Sequence, residues 1–130
     1  MLRAFLIILF YKNMNEATND ALSITKRYFK LSNAGDLSAI EDLIIDDATY
    51  SSAHTGLYFG RMDIMAMMSV FFESYQSLNW QINSIKTISE YITEVHFTFK
   101  CTNLSGLVTE RTGVERIVVA NGLIRHIEVR

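Results

Sequence analysis

The sequence predicts an α+β fold in which helices come first and an antiparallel sheet follows. Up to about residue 77, apolar residues recur at the three- and four-residue spacing of amphipathic helices. Beyond that point they alternate with polar residues, as in strands that bury one face. Turn signals such as Asn121-Gly122 separate the alternating segments. This order is typical of helices packed on one face of a curved, mostly antiparallel sheet.

The first predicted helix spans roughly residues 16–33. Its apolar face is made by Ala21, Leu22, Thr25, Tyr28, Phe29 and Leu31. In the NAGD segment that follows, Gly35 supplies the left-handed residue that ends a helix, and Asp36 is a good N-cap for the next one. That second, short helix is expected to end at residues 46–47, with a buried face of Leu37, Ile40, Leu43 and Ile44.

A short strand is predicted at 48–52, before a third helix opened by Gly60 and Asp63. The core-facing residues of this helix are expected to be Ile64, Met67, Met68, Phe71 and Tyr75. Four longer strands then follow, at 80–88, 91–102, 107–120 and 123–130. Alternation predicts one buried face with Val95, Phe97, Phe99 and Cys101, and places His96 and His126 on the outer face.

The N-terminus begins with an unusually apolar run, MLRAFLIILFY. It is well short of the roughly 20 residues that a membrane-spanning helix needs. It has the charge-then-apolar order of a signal peptide, but no small-x-small cleavage site follows. We therefore expect residues 1–13 to be an apolar extension that packs on the domain or on a partner subunit, and residues 14–130 to form a single domain. An upstream start codon, with Met14 as the usual start, is the other interpretation.

The composition excludes several classes of protein. A formal net charge of −2 with scattered cations gives no footprint for nucleic acid. The single cysteine, Cys101, cannot form an internal disulfide, so we expect a cytoplasmic protein. The three histidines are scattered, and no glycine-rich phosphate loop occurs. We therefore expect no metal, no cofactor and no membrane partner.

The segment RYFKLSNAGDLSAIEDLIIDDATY, residues 27–50, together with the order of elements, resembles the nuclear transport factor 2 superfamily. Within it, the chain is most similar to ketosteroid isomerases and SnoaL-like polyketide cyclases, over roughly residues 17–130. The resemblance implies a cone-shaped domain in which three N-terminal helices pack on a concave sheet. It also implies an apolar pocket between these layers and a homodimer formed through the opposite sheet face.

The resemblance also implies site residues. Ketosteroid isomerases carry an oxyanion-binding tyrosine in an Arg-Tyr pair five residues before NAGD, and Tyr28 matches it. Their second donor is an aspartic acid that an apolar site keeps protonated, on the strand before the last hairpin; Glu115 stands at that position. Their general-base aspartate corresponds to Ser52, so the base is missing.

A hydroxyl cannot abstract a carbon-bound proton at neutral pH without a base of its own. His54 lies two residues beyond Ser52, which places it on the same side of a strand, and imidazole is a suitable base at neutral pH. Tyr28, Glu115 and His54 are therefore the expected catalytic residues. The expected substrate-binding residues are Tyr50, Met68, Phe97, Phe99 and Ile127.

Each candidate also has a structural interpretation. Tyr28 could be an ordinary core residue, His54 a surface residue of a loop, and Glu115 an ion-pair partner of Arg111, Arg116 or Arg125. The expected function is binding of a small apolar ligand, with isomerase, dehydratase or cyclase chemistry as one form of it. A non-catalytic ligand-binding or dimerisation module is the alternative, and protein recognition is a third.

Overall fold

The computed structural model describes residues 20–130, so the predicted extension 1–13 lies outside the described residues. Three helices are present: α1 (Ala21–Ala34), α2 (Leu37–Glu41) and α3 (Arg61–Glu73). Six strands accompany them: β1 (Ile44–Ser52), β2 (Gly56–Phe59), β3 (Tyr75–Thr87), β4 (Ile92–Asn103), β5 (Val108–Ala120) and β6 (Leu123–Val129). The predicted α+β class is confirmed, although α3 follows the first two strands and is not N-terminal to the whole sheet.

The NAGD segment behaves as its residues predict. Asp20 caps the start of α1 by accepting a hydrogen bond from the amide of Ser23 at 2.7 Å. Gly35 ends the helix in the left-handed conformation, with φ 68°. The carboxylate of Asp36 then accepts from the amide of Ala39 at 3.1 Å and starts α2. The capping residues Gly35 and Asp36 therefore determine the connection between α1 and α2.

The strands form one sheet in the order β2-β1-β6-β5-β4-β3. All neighbouring pairs are antiparallel except β1 and β6, which run parallel. The β5–β6 hairpin closes through Asn121 and Gly122, with φ 55° and 75°, the conformation that this dipeptide favours. The buried face of β4 carries Val95, Phe97, Phe99 and Cys101, as alternation predicted.

Some predicted boundaries are wrong. The second helix ends at Glu41, and Ile44 already belongs to β1, whose predicted start was residue 48. Tyr75 begins β3 and is not on the face of α3. Residues 56–59, between the predicted strand and the third predicted helix, form the short edge strand β2. In each case pairing with another strand decides the conformation, and the spacing of apolar residues does not contain that information.

The two sheet faces differ sharply. The helices cover the inner face, where Phe29, Ile40 and Ile64 meet strand residues such as Ile117 and Ile124. On the outer face His96 bonds Glu94 at 2.9 Å, and the Nδ1 atom of His126 lies 2.7 Å from the hydroxyl of Thr49. Both histidines therefore lie on the outer face, as predicted.

Candidate functional site

A cavity of about 60 Å³ lies between the helices and the inner face of the sheet. Helix α1 contributes Tyr28 and Ser32 to its lining, and β1 contributes Tyr50 and Ser52. The rest of the lining comes from α3, from strands β3, β4 and β5, from the β1–β2 turn and from the chain end after β6. It includes His54, Met68, Trp80, Phe97, Arg111, Gly113 and Glu115. The structure thus brings together all four predicted catalytic positions.

The sheet register explains why two distant residues reach this cavity. Glu115 on β5 pairs with Val129 on β6, and Val129 pairs with Ser52 on β1. Residues that pair across neighbouring strands point to the same face, so this row presents one carboxyl and one hydroxyl to the inner side. Tyr50 lies in the next row, which also contains Ile117 and Ile127.

Glu115 is a buried carboxyl that has no polar partner among the described residues. Its side chain is almost completely buried, with a relative exposure of 4% for the residue. Within residues 20–130 no hydrogen bond or ion pair reaches this carboxyl, and burial raises its pKa to about 8. The group is therefore mainly protonated at neutral pH and presents an O–H donor.

Arg111 does not neutralise this carboxyl. Its guanidinium lies over the ring of Phe99, with Cζ 5.2 Å from the centroid, and it forms no ion pair with a described residue. The structural alternative, in which Arg111 ionises Glu115, is therefore not what the structure shows. Arg111 instead adds an uncompensated positive charge to the cavity lining.

Two phenols share the cavity with the neutral acid. Burial raises the pKa of Tyr28 well above its ordinary value, and the nearby charge of Glu115 raises it further. The same two causes raise the pKa of Tyr50. Both hydroxyls therefore stay protonated, and the cavity lining contains two buried groups, Tyr28 and Glu115, and the partly buried Tyr50, each with an O–H hydrogen.

Ser52 has a structural role at the position of the missing base. Its Oγ accepts hydrogen bonds from the backbone amides of His54 at 3.0 Å and Thr55 at 3.2 Å. The hydroxyl of Tyr58 donates to the carbonyl oxygen of Thr55 at 2.6 Å. These contacts close the turn between β1 and β2, so the hydroxyl of Ser52 organises the cavity wall.

His54 lies in this turn and not on the strand itself. It is exposed and also belongs to the cavity lining, as does Ser52. An imidazole in this place can exchange protons with solvent and still reach a bound molecule.

The apolar wall is largely aromatic. The ring of Trp80 lies 4.8 Å from that of Phe99 and 5.8 Å from that of Phe72, measured between centroids. Of the predicted substrate-binding residues, Tyr50, Met68 and Phe97 line the cavity. Phe99 and Ile127 are buried in the core and are not part of the lining.

Sequence reasoning did not assign several lining residues. The sequence alone does not decide whether Trp80 faces a pocket or a subunit interface, and the structure places it in the cavity lining. Gly113 was not singled out: a Cβ built there would lie 2.5 Å from Cζ of Phe97 and 3.0 Å from the carbonyl oxygen of Arg130. The sequence signal for such a contact is a glycine inside a strand, which often marks the close approach of another group to the backbone.

Within residues 20–130 no group of three or more histidine, cysteine, aspartate or glutamate side chains could hold a metal ion. In the same part of the chain, no helix is both long and apolar enough to cross a membrane.

The same fold occurs in solved structures of nuclear transport factor 2-like proteins. One of unknown function from Burkholderia pseudomallei gives a TM-score of 0.76 at 13% identity, covering 84% of this chain and 88% of that one. A hypothetical protein from Catenulispora acidiphila with a ketosteroid isomerase-like fold, in complex with trimethylamine, gives 0.75 at 11% identity, covering 83% and 84%. A candidate polyketide cyclase from Xanthomonas campestris gives 0.72 at 14% identity, covering 84% and 87%.

At these identities the structural likeness shows the fold alone. The sequence itself matches the SnoaL-like domain over residues 25–127, which is most of the chain. The chain therefore belongs to the SnoaL-like domain family. No curated protein matches it.

Proposed function

We propose that the cavity binds a small apolar molecule through a carbonyl, enol or phenol oxygen. The observation that carries this proposal is Glu115, a buried acid that is neutral at pH 7 and has no partner among residues 20–130. An unpaired buried donor costs free energy, and a ligand oxygen that accepts from it removes that cost. Tyr28 lies in the same lining and supplies a second donor.

The same arrangement supports acid–base chemistry. Donors aimed at an oxygen stabilise the negative charge that develops there when a neighbouring carbon loses its proton. His54 is the base that we assign to this step, because it is the histidine in the lining of the cavity. Isomerase, dehydratase and cyclase reactions of a ketone all include such a proton transfer.

Ligand binding is tested with 4-methylphenol. Trp80 is the single tryptophan of the chain and lies in the cavity lining, so its emission reports binding. Tyr28→Phe should weaken binding by roughly threefold to tenfold, the worth of one hydrogen bond. Tyr91→Phe is the matched control, since Tyr91 is exposed at the β3–β4 turn. Absence of binding, or an equal loss in both variants, would contradict the proposal.

Catalysis is tested without knowledge of the natural substrate. In D₂O, proton transfer at the α-carbons of 4-phenylcyclohexanone exchanges hydrogen for deuterium, which NMR measures directly. We expect the protein to accelerate this exchange, and His54→Ala to remove most of the acceleration. A general base typically contributes about 10²–10⁴-fold.

The second candidate is a non-catalytic ligand-binding module of the same fold. The observation that favours it is Ser52, whose hydroxyl is engaged by two backbone amides where a base would be needed. Binding of 4-methylphenol without any accelerated exchange of the ketone would select this candidate.

A further inference from the structure

The cavity is too small to hold a complete ligand. Small-molecule pockets usually measure about 300–1,000 Å³. The cavity that Tyr28 and Glu115 help to line measures about 60 Å³, well below that range. A ligand whose oxygen reaches these donors must therefore extend beyond the cavity.

A second hollow adjoins the cavity. It lies between α3 and the β1–β2 turn and has a volume of about 580 Å³. Thr55, Met67 and Phe71 line both spaces, so the two adjoin at these residues. On α3 the hollow is also lined by Ala66 and Val70, and the side chain of Val70 is 66% exposed. We call this second space the outer hollow.

An unpaired hydroxyl marks the junction. The Oγ1 atom of Thr55 is buried and has no hydrogen-bond partner among the described residues. The backbone of Thr55 is held on both sides, because its amide donates to Ser52 and its carbonyl accepts from Tyr58. Thr55 itself lines both spaces, so this unsatisfied hydroxyl lies in the wall that they share.

Met67 and Phe71 form the apolar part of the junction. A methionine side chain is unbranched and flexible, so it can move aside for a passing chain at small cost. Asp63 also lines the outer hollow, and its negative charge disfavours an anionic group there. The part of the ligand in the outer hollow is therefore expected to be uncharged and apolar.

We propose that the ligand has two parts: an oxygen-bearing head between Tyr28 and Glu115, and an alkyl or aryl tail that passes Met67 into the outer hollow. This inference rests on the proposed function, because the head is the molecule assigned there. It adds the substrate class, which is a carbonyl or phenol compound with a long, uncharged apolar substituent.

The test uses a series of phenols from 4-methylphenol to 4-octylphenol, followed by the emission of Trp80 in the full chain. Burial of each methylene stabilises the complex, so Kd should fall by roughly threefold to fourfold per added carbon until the outer hollow is filled. Val70→Asp places a charge in the hollow and should abolish this gain, so that 4-octylphenol binds no more tightly than 4-methylphenol. Met62→Asp is the matched control: Met62 is 84% exposed on the same helix and lines neither space.

The outcomes separate the two proposals. If 4-methylphenol binds and Tyr28→Phe weakens it, but chain length has no effect, the two-part ligand is wrong and the proposed function stands. The inference is also wrong if affinity rises with chain length equally in the wild type and in Val70→Asp, because the tail then lies elsewhere. If no member of the series binds, the proposed function fails and this inference fails with it.

Discussion

The side chain of Asn33 hydrogen-bonds to both backbone polar groups of Trp80. Its Nδ2 donates to the carbonyl oxygen at 2.9 Å, and its Oδ1 accepts from the amide at 2.7 Å. Trp80 lies on β3, which forms one edge of the sheet. The side-chain amide of Asn33 therefore makes the hydrogen bonds that a further strand would make at that edge. These bonds hold α1 against β3, the strand that carries Trp80.

Replacing Asn33 by alanine should lower the free energy of unfolding by about 1–3 kcal/mol, because two hydrogen bonds are lost at a partly covered edge. The emission maximum of Trp80 should also shift, since α1 no longer fixes its backbone. Urea unfolding and fluorescence spectra measure the two effects. Asn79→Ala is the control, as Asn79 is the exposed neighbour of Trp80. Equal effects of both substitutions would contradict this role.

Glu115 should make the stability of the domain depend on pH. Its carboxyl has an ordinary pKa of 4.5 in the unfolded chain and about 8 in the folded one. The stability is fully present below 4.5 and is lost as the pH rises toward about 8, because only the unfolded chain releases the proton in that range. Over this pH range the free energy of unfolding should fall by on the order of 5 kcal/mol.

Glu115→Gln removes the titrating group, so its stability relative to the wild type should increase steadily from pH 5 to pH 8. Urea midpoints at several pH values measure this difference. Glu110→Gln, an exposed position on the same strand, should show no such trend. A constant difference between wild type and Glu115→Gln across this range would show that the carboxyl is ionised in the folded protein.

Ser52→Asp should create an isomerase activity. A carboxylate can accept from the amides of His54 and Thr55 as the hydroxyl does, so the turn should survive. It would also place a base on the same sheet face as Glu115. We expect the conversion of 3-cyclohexenone to the conjugated isomer, followed by absorbance, to rise about 10²-fold or more.

Ser51→Asp provides the matched control, because adjacent residues of a strand point to opposite faces. It should leave the conversion at the wild-type rate. A Ser52→Asp variant that folds normally and shows no gain would mean that the donors of the cavity do not stabilise an enolate.

Gly113 should tolerate no side chain while Phe97 is present. An added Cβ would meet the ring of Phe97 at 2.5 Å, so Gly113→Ala should destabilise the domain by about 1–3 kcal/mol. The double variant Gly113→Ala/Phe97→Leu removes the ring atom that clashes and should recover part of this loss. Additive effects of the two substitutions in a double-mutant cycle would show that the contact is not the cause.

Much of the fold could be predicted from the sequence, because its signals are local. The alternation in β4 and the Asn121-Gly122 turn determine strand faces and a hairpin without reference to distant residues. The edge strand β2 could not be predicted: it has four residues, and Leu57 and Phe59 are both exposed. Its conformation depends on pairing with β1.

The candidate site also combines features that could be predicted from the sequence with features that could not. The convergence of Tyr28 and Glu115 on one cavity was expected from the resemblance, since local spacing cannot relate a helix to a strand more than 80 residues away. The position of Trp80 depends on an irregular register between Ile82 and Ser84, and that of Asn33 on a contact across 47 residues. Neither relationship leaves a local pattern in the sequence.

The parallel pairing of β1 with β6 has a consequence for folding. It joins residues 44–52 to residues 124–129, and the row from Ser52 to Glu115 runs through Val129. Contacts between such distant segments form slowly, because the intervening chain must first be ordered. During synthesis, the helices and the β1–β2 hairpin leave the ribosome long before β6 does. The cavity is thus among the last parts of the molecule to form, and until β6 is added the strand edges of β1 and β5 that it pairs with stay open to aggregation.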